Sequence, residues 1–304
     1  MSPMQIPAGL RVGAWLMGLG SWGLGLWGCS VAPPASQFPS AQAAIDRMRG
    51  SYECSRGLMG EAKLDYFGDE GRIRASMLFA TSRPERMRID VYSPFGATLS
   101  TFTSNGREFA LTDVKAKKYF QGEAKECAIS RFLGVPAPPQ ALVQLLGGLA
   151  PVLVHQAQDA QIAWDDGAYL LSIKSTHQAE QTIRLLPTSD DWSKPWAEQR
   201  LLVTEVQVKQ QGIELYRAEL SHHRAVKTAA PRVDPDGLEP PVPPSGPQCN
   251  AEVPGRIRFV VPSKGRDVVI STQELHHNPP LLPGTFMQTK NRGLSSSIVQ
   301  CDAL

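Results

Sequence analysis

The sequence predicts a mainly β fold: one long antiparallel sheet, apolar on one face, curled so that a few amphipathic helices cover its open side. Three observations carry this. Strict apolar/polar alternation recurs along the chain, as in "RIRASMLFAT", where Ile73, Ala75, Met77 and Phe79 share one face against Arg72, Arg74 and Ser76. Hairpin turn signals separate the alternating stretches. One segment between the earlier and later strands, "ECAISRFLGVPAPPQALVQLLGG", has helical spacing instead. A sheet with one apolar face must bury it, and the helices are the available cover.

Taken in order, the first residues read as a targeting segment. Arg11 precedes an uncharged run from Val12 to Trp27, roughly 24 Å long as a helix at about 1.5 Å per residue. That is shorter than the ~20 residues of a spanning helix and points to a signal peptide over residues 1–28. Leu26-Trp27-Gly28-Cys29 resembles the bacterial lipobox, with Trp27 larger than usual there. Cleavage before Cys29 would place diacylglycerol and an N-acyl chain on that residue, and no other cofactor is expected. Two or three chains, at about 0.8 kcal/mol per buried methylene, anchor a protein stably. Ser30, rather than Asp, after the cysteine accords with outer-membrane sorting under the enteric rule.

Residues 29–39 read as a short Pro, Ala and Ser tether. Ser40 is the expected N-cap of a helix from Ala41 to Arg49, closed by Gly50. A single domain then runs over residues 40–290. Its second clear alternation is "ERMRIDVYS", in which Met87, Ile89 and Val91 oppose Arg86, Arg88 and Asp90. Asn105-Gly106, Asp166-Gly167 and Gln211-Gly212 are hairpin turns. The helical segment breaks at Val135 to Pro139 into two short helices. Seven prolines between Pro231 and Pro247 make a stiff excursion inside an insertion over 228–250. "GRIRFVVPSKGRDVVISTQEL" is the expected last hairpin, around Ser263 to Gly265, and residues 291–304 a C-terminal tail.

With 304 residues, 42% apolar and 20% charged, the chain can bury a full core, and a formal charge of +2 marks no polyanionic partner such as nucleic acid. Beyond Cys29, Cys54, Cys127, Cys249 and Cys301 form an even set suited to an oxidising compartment. Four cysteines allow three connectivities; Cys54 with Cys127 and Cys249 with Cys301 is the preferred one, the second bridge tying a loop to the tail. No CxxC spacing suggests zinc or redox chemistry. Nor does G-x-S-x-G, H-E-x-x-H or a phosphate-binding loop appear. His222-His223 and His276-His277 are adjacent, and neighbours on a strand face opposite ways, so neither pair suits one metal ion. Asp165-Asp166 and Asp190-Asp191 fall in turn-like sequence. Arg72, Arg74, Arg86 and Arg88 offer a basic stripe on neighbouring strands, to be weighed against a simple solvated face. The expectation is a protein that is not an enzyme.

"SPFGATLSTFTSNGREFALTD" followed by "RFLGVPAPPQALVQLLGG" resembles the bacterial lipoprotein-localisation family, the LolA/LolB-like proteins, and most of all their outer-membrane receptor branch. "VPGRIRFVVPSKGRDVVISTQELHHNPPL" is similar to the family's closing hairpin and the Asn-Pro-Pro tail of related lipoproteins. The resemblance spans roughly residues 52–286. It implies an unclosed β-barrel with a helical lid, whose cavity takes the acyl chains of lipoproteins delivered by a soluble periplasmic carrier. It also implies a monomer on the periplasmic face of the outer membrane. In the receptor branch an exposed apolar residue on a "PLG" loop inserts into the membrane, and its counterpart here is Phe95, between Pro94 and Gly96. The implied cavity and lid residues are Ile73, Met77, Phe79, Ile89, Val91, Ile129, Phe132, Leu133, Leu142, Leu145 and Leu146. Periodicity alone serves a packed core equally well.

Overall fold

Alternation builds a single 14-stranded sheet in the computed structural model, which describes residues 31–68 and 71–301. The expected signal peptide and Cys29 lie outside those residues. The elements are α1 (Ala41–Gly50), then strands β1 (Gly57–Gly68), β2 (Gly71–Ser82), β3 (Arg86–Tyr92), β4 (Thr98–Ser104), β5 (Glu108–Asp113) and β6 (Lys118–Glu123). Helices α2 (Glu126–Leu133) and α3 (Pro139–Leu146) follow, then β7 (Ala160–Asp165), β8 (Ala168–Lys174), β9 (Ala179–Pro187), β10 (Leu201–Gln210) and β11 (Ile213–Ser221). The two-residue strands β12 (Arg224–Ala225) and β13 (Glu252–Val253) pair with each other. The chain ends in β14 (Arg256–Val261), β15 (Arg266–His277) and β16 (Ser295–Val299).

The large sheet runs β16-β6-β5-β4-β3-β2-β1-β15-β14-β11-β10-β9-β8-β7, with β16 and β7 as its two edges. It is an unclosed β-barrel with a helical lid. Every neighbouring pair is antiparallel except β16 with β6. Antiparallel order sorts the turns onto two rims. The β1–β2, β3–β4, β5–β6, β8–β9, β10–β11 and β14–β15 turns leave from one, here the upper rim. The β2–β3, β4–β5, β7–β8 and β9–β10 connections and the proline-rich excursion leave from the other, the lower rim.

Local chemistry explains the elements. Ser40 caps α1, its hydroxyl accepting from the Ala43 amide, and Ala41, Ala44, Ile45 and Met48 form the buried stripe. Gly50 is the helix's last residue and Ser51 the cap. Asp166 and Gly167 both take positive φ, as do Gln211 and Gly212, the signature of two-residue turns whose twist matches the strands they join. Gly134 ends α2 in the left-handed region at φ 76°, and Pro139 opens α3, where a missing N–H costs nothing.

The concave face carries one continuous apolar cluster that includes Met77, Phe79, Met87, Phe102, Phe109, Ile129, Leu142 and Leu145. Phe132 on α2 meets Phe109 and Phe120 at centroid distances of 5.6 and 5.0 Å, docking the lid on β5 and β6.

Two expectations are corrected here. The disulfides are Cys54–Cys249 and Cys127–Cys301, not Cys54–Cys127 and Cys249–Cys301. Topology gives the reason. β1 lies beside β15, so the turn before β1 and the excursion before β14 meet at the lower rim. β16 runs parallel to β6, so the residues following each, Cys301 and Cys127, emerge at that rim together.

The last hairpin is also not the end of the sheet. After β15 the chain climbs the outer face of β4 and β5. There Gln288 Nε2 donates to the Thr101 and Ala110 carbonyls at 3.0 and 2.8 Å, and Tyr119 donates to the Gln288 carbonyl at 3.0 Å. It then returns as β16. "SSSIV" has no alternation to announce a strand; as an edge strand it leaves Ser295, Ser296 and Ile298 exposed and buries only Val299.

Candidate functional site

Several exposed apolar side chains gather at the upper rim, while others, Val233, Leu238, Met287 and Ile298 among them, lie on the proline-rich excursion and the C-terminal segment. Phe95 sits in the β3–β4 turn, a tight loop in which the Ser93 hydroxyl accepts from the Phe95 and Ala97 amides at 3.3 and 3.1 Å. Gly96 takes φ 80°, a conformation in which a Cβ is strained. The loop therefore holds Phe95 outward, and 96% of it is exposed. It is not folded back on its sheet.

Phe95 has company that alternation did not single out. Phe67 at the β1–β2 tip, Val114 in the β5–β6 turn and Ile213 at the β10–β11 turn are 57%, 46% and 60% exposed. Val154 belongs with them, its carbonyl accepting from the Thr176 amide of the β8–β9 turn at 3.1 Å. Lys115 and Lys117 stand exposed beside Val114. The signal for this rim is topological: apolar residues at every second turn of an antiparallel meander share one end. An exposed apolar edge flanked by charge marks an interaction surface, for a protein partner or for a membrane.

Ile73 moves from one role to another. Expected to line the concave face, it is 44% exposed at the β1–β2 tip, because that hairpin projects beyond β3, whose pairing with β2 begins only at Ser76–Tyr92. The rest of the expected set lies together. Met77, Phe79, Ile129, Leu142, Leu145 and Leu146 are buried, while Ile89, Phe132 and Leu133 are half-buried and packed against them. Val91, near the upper end of β3, is also half-buried. α2 and α3 thus sit down on the concave face. Gly134 at the end of α2 and Gly147 and Gly148 after α3 flank the pair.

The four arginines do not make one stripe. Arg72 and Arg74 pair with Asp65 near the upper rim, and Arg88 pairs with Asp90 at 2.7 Å. Arg86 lies at the lower end, its guanidinium 5.5 Å from the Phe286 ring centroid. Three of them are ordinary ion-paired residues on a solvated face.

The residues weighed for catalysis have structural work. Asp191 is fully buried and takes hydrogen bonds from Lys194 Nζ at 2.6 Å and from the Arg200 amide and Nε at 2.9 and 2.8 Å. Burial alone would raise its pKa, but these donors outweigh it and hold the carboxyl well below the usual range. Asp165 accepts from Arg184 at 3.0 Å, and Asp166 forms the β7–β8 turn.

His277 is fully buried, and burial above all, with the nearby Arg83 charge, lowers its pKa below the ordinary imidazole value. Its Nε2 lies 3.0 Å from the Ala251 carbonyl, which can only accept. The proton is therefore on Nε2, and Nδ1 accepts from the Ser55 hydroxyl at 2.9 Å. His276 instead meets Glu274 at 3.0 Å near the surface. Among the described residues, no group of three or more His, Cys, Asp or Glu is placed to hold a metal ion. No helix among them is long and apolar enough to cross a membrane.

The family model described as "Outer membrane lipoprotein LolB" matches residues 62–224. No curated protein matches. Among solved structures, a DUF1329 family protein from Desulfovibrio piger superposes with a TM-score of 0.51 at 12% identity, covering 84% of this chain and 98% of that one. A putative outer membrane lipoprotein-sorting protein domain from Vibrio parahaemolyticus gives 0.48 at 10% identity, covering 81% and 95%. A LolA superfamily protein from Nitrosomonas europaea gives 0.48 at 10% identity, covering 82% and 98%. At such identities the first likeness speaks for the fold.

Proposed function

Because this chain belongs to the outer membrane lipoprotein LolB family, we propose that it is a non-enzymatic, lipid-anchored receptor that takes lipoprotein acyl chains onto its concave face and releases them into the outer membrane. One observation carries the reading. An apolar rim crowned by Phe95 opens beside an apolar concave face whose helical cover on that side, among the described residues, is the short pair α2 and α3. Cargo chains would enter by displacing these helices from Met77, Phe79 and Met87, and leave across the upper rim. Cys29, carrying diacylglycerol and an N-acyl chain, would tether the domain to the periplasmic face through residues 29–39. The donor would be a soluble periplasmic lipoprotein carrier, and the receptor would act as a monomer.

Energetics favour a passive handover. A chain of about 15 methylenes gains on the order of 12 kcal/mol on burial, at ~0.8 kcal/mol each, before ordering costs. A bilayer offers nearly the same environment, so transfer runs close to balance with no nucleotide.

A second reading, a structural or assembly lipoprotein on the same fold, draws on the tight burial of Ile129 and Leu145, which a permanently filled core also has. Incubating the protein with an acylated lipoprotein held by a soluble carrier separates the two. The receptor reading expects the lipoprotein to move onto this protein and then into added vesicles. Cargo that stays with the carrier, while a known receptor accepts it, supports the structural reading.

A further inference from the structure

The lower rim, opposite Phe95, holds a second candidate site with different chemistry. A cleft of about 610 Å³ is lined by Glu53, Ser55, Arg56, Ser82, Arg83, Pro84, Arg86 and Ser245. Three arginines and one glutamate line it, and among the described residues no acid is ion-paired with Arg56, Arg83 or Arg86. Arg83 is half-buried, and Arg56 is close enough that the two like charges oppose each other. Burying a charge costs free energy unless an opposite charge or strong hydrogen bonds compensate. Arg83, partly desolvated beside the like charge of Arg56, therefore gains most from an anion in the cleft, and the exposed Arg56 and Arg86 can reach the same anion from its mouth.

The frame beneath the cluster is unusually fixed. Asn278, fully buried, accepts through Oδ1 from the Arg56 and Gly57 amides at 2.7 and 3.3 Å and donates through Nδ2 to the Cys54 and Pro247 carbonyls at 2.8 and 2.6 Å. Every hydrogen-bonding capacity of its amide end is thus spent joining the turn before β1 to the end of the proline-rich excursion. The Cys54–Cys249 disulfide joins the same two segments covalently. His277 bridges Ser55 to Ala251. Gly246 comes so near Arg56 that a Cβ there would lie 2.7 Å from Arg56 Cγ; only glycine lets the excursion brace that side chain. On the far wall, Arg86 donates to Ser82 Oγ at 3.2 Å and rests on Phe286. The disulfide, the asparagine clamp and the histidine bridge all converge on one pocket, and it is cationic.

We propose that this pocket binds a phosphate-bearing anion, with Arg56, Arg83 and Arg86 as the charged donors and Ser245 as a hydroxyl donor. Guanidiniums match phosphate oxygens two at a time, and several together select phosphate over smaller monovalent anions. The shared chemistry is a phosphate group, whether free or in a phospholipid headgroup. The site stands apart from the acyl-binding reading and is independent of it.

Isothermal titration of the purified full chain with inorganic phosphate, and separately with water-soluble dihexanoyl phosphatidylglycerol, tests this and identifies the source. Binding of either is expected to weaken about tenfold or more in Arg56→Gln and Arg83→Gln, since each removes a charge-assisted donor. Arg56→Gln, at an exposed position, serves where Arg83→Gln disturbs folding, and circular dichroism confirms both folds. Binding of phosphate alone assigns a free phosphate ligand, and binding of the lipid alone a headgroup. Absence of binding by both ligands, or equal affinity in wild type and Arg56→Gln, overturns the proposal.

Discussion

Replacing Phe95 with Glu is expected to stop the insertion of a delivered lipoprotein into the outer membrane while leaving the fold and cargo uptake unchanged. The residue is 96% exposed and its loop is held by Ser93 and Gly96, so the substitution changes stability by no more than about 0.5 kcal/mol. Its effect falls on the encounter with lipid. Exchanging an apolar aromatic for a carboxylate costs up to roughly 3–4 kcal/mol where the side chain enters the hydrocarbon, a hundredfold or more in membrane partition. Delivery measured with vesicles should therefore fail at the release step, with cargo accumulating on the variant. Normal release would mean that Phe95 does not touch the bilayer. Phe67, Val114 and Ile213 share its rim, so single Glu substitutions there should give weaker defects of the same kind.

The second large effect is on stability. Cys54–Cys249 and Cys127–Cys301 close loops with sequence separations of 195 and 174 residues. Bridges across loops this long restrict the unfolded chain strongly, about 5 kcal/mol each in the chain-entropy account. Cys54→Ser with Cys249→Ser should lower the denaturation midpoint markedly and loosen the excursion. Cys127→Ser with Cys301→Ser should free β16 and the start of α2. Guanidinium titration of oxidised and variant proteins checks this; midpoints within error of wild type would show that the bridges add nothing to stability.

How much of this was legible in the sequence depends on the range over which each feature is decided. The strands carrying Met77, Phe79, Met87 and Ile89 follow from alternation, and the turns at Asp166-Gly167 and Gln211-Gly212 from residues that tolerate positive φ. Ser40 and the proline break between α2 and α3 are equally local signals. Phe95 stands out only through resemblance to the family's loop, and its turn explains its exposure.

What escaped was decided by topology. Ile73 keeps the parity of its strand but lies past the end of the neighbouring one, so parity put it on the right face and the wrong side of the boundary with solvent. The Cys127–Cys301 pairing depends on β16 running parallel to β6, and no serine-rich pentapeptide reveals that; Cys54–Cys249 depends on β1 lying beside β15. The arginine pocket joins residues near 55, 85 and 245 that share no motif, although the Asn-Pro-Pro stretch that organises it was visible as a stretch.

The central claim is that the concave face accepts acyl chains, and native mass spectrometry of the periplasmically expressed Cys29→Ala protein tests it most directly. The account predicts a bound species bearing acyl chains, recovered by lipid extraction, and its loss when Leu142 or Leu146 is replaced by Trp in a protein that still folds. A clean unliganded mass that takes up neither fatty acid nor acylated lipoprotein would contradict it and mark the concave face as a filled core.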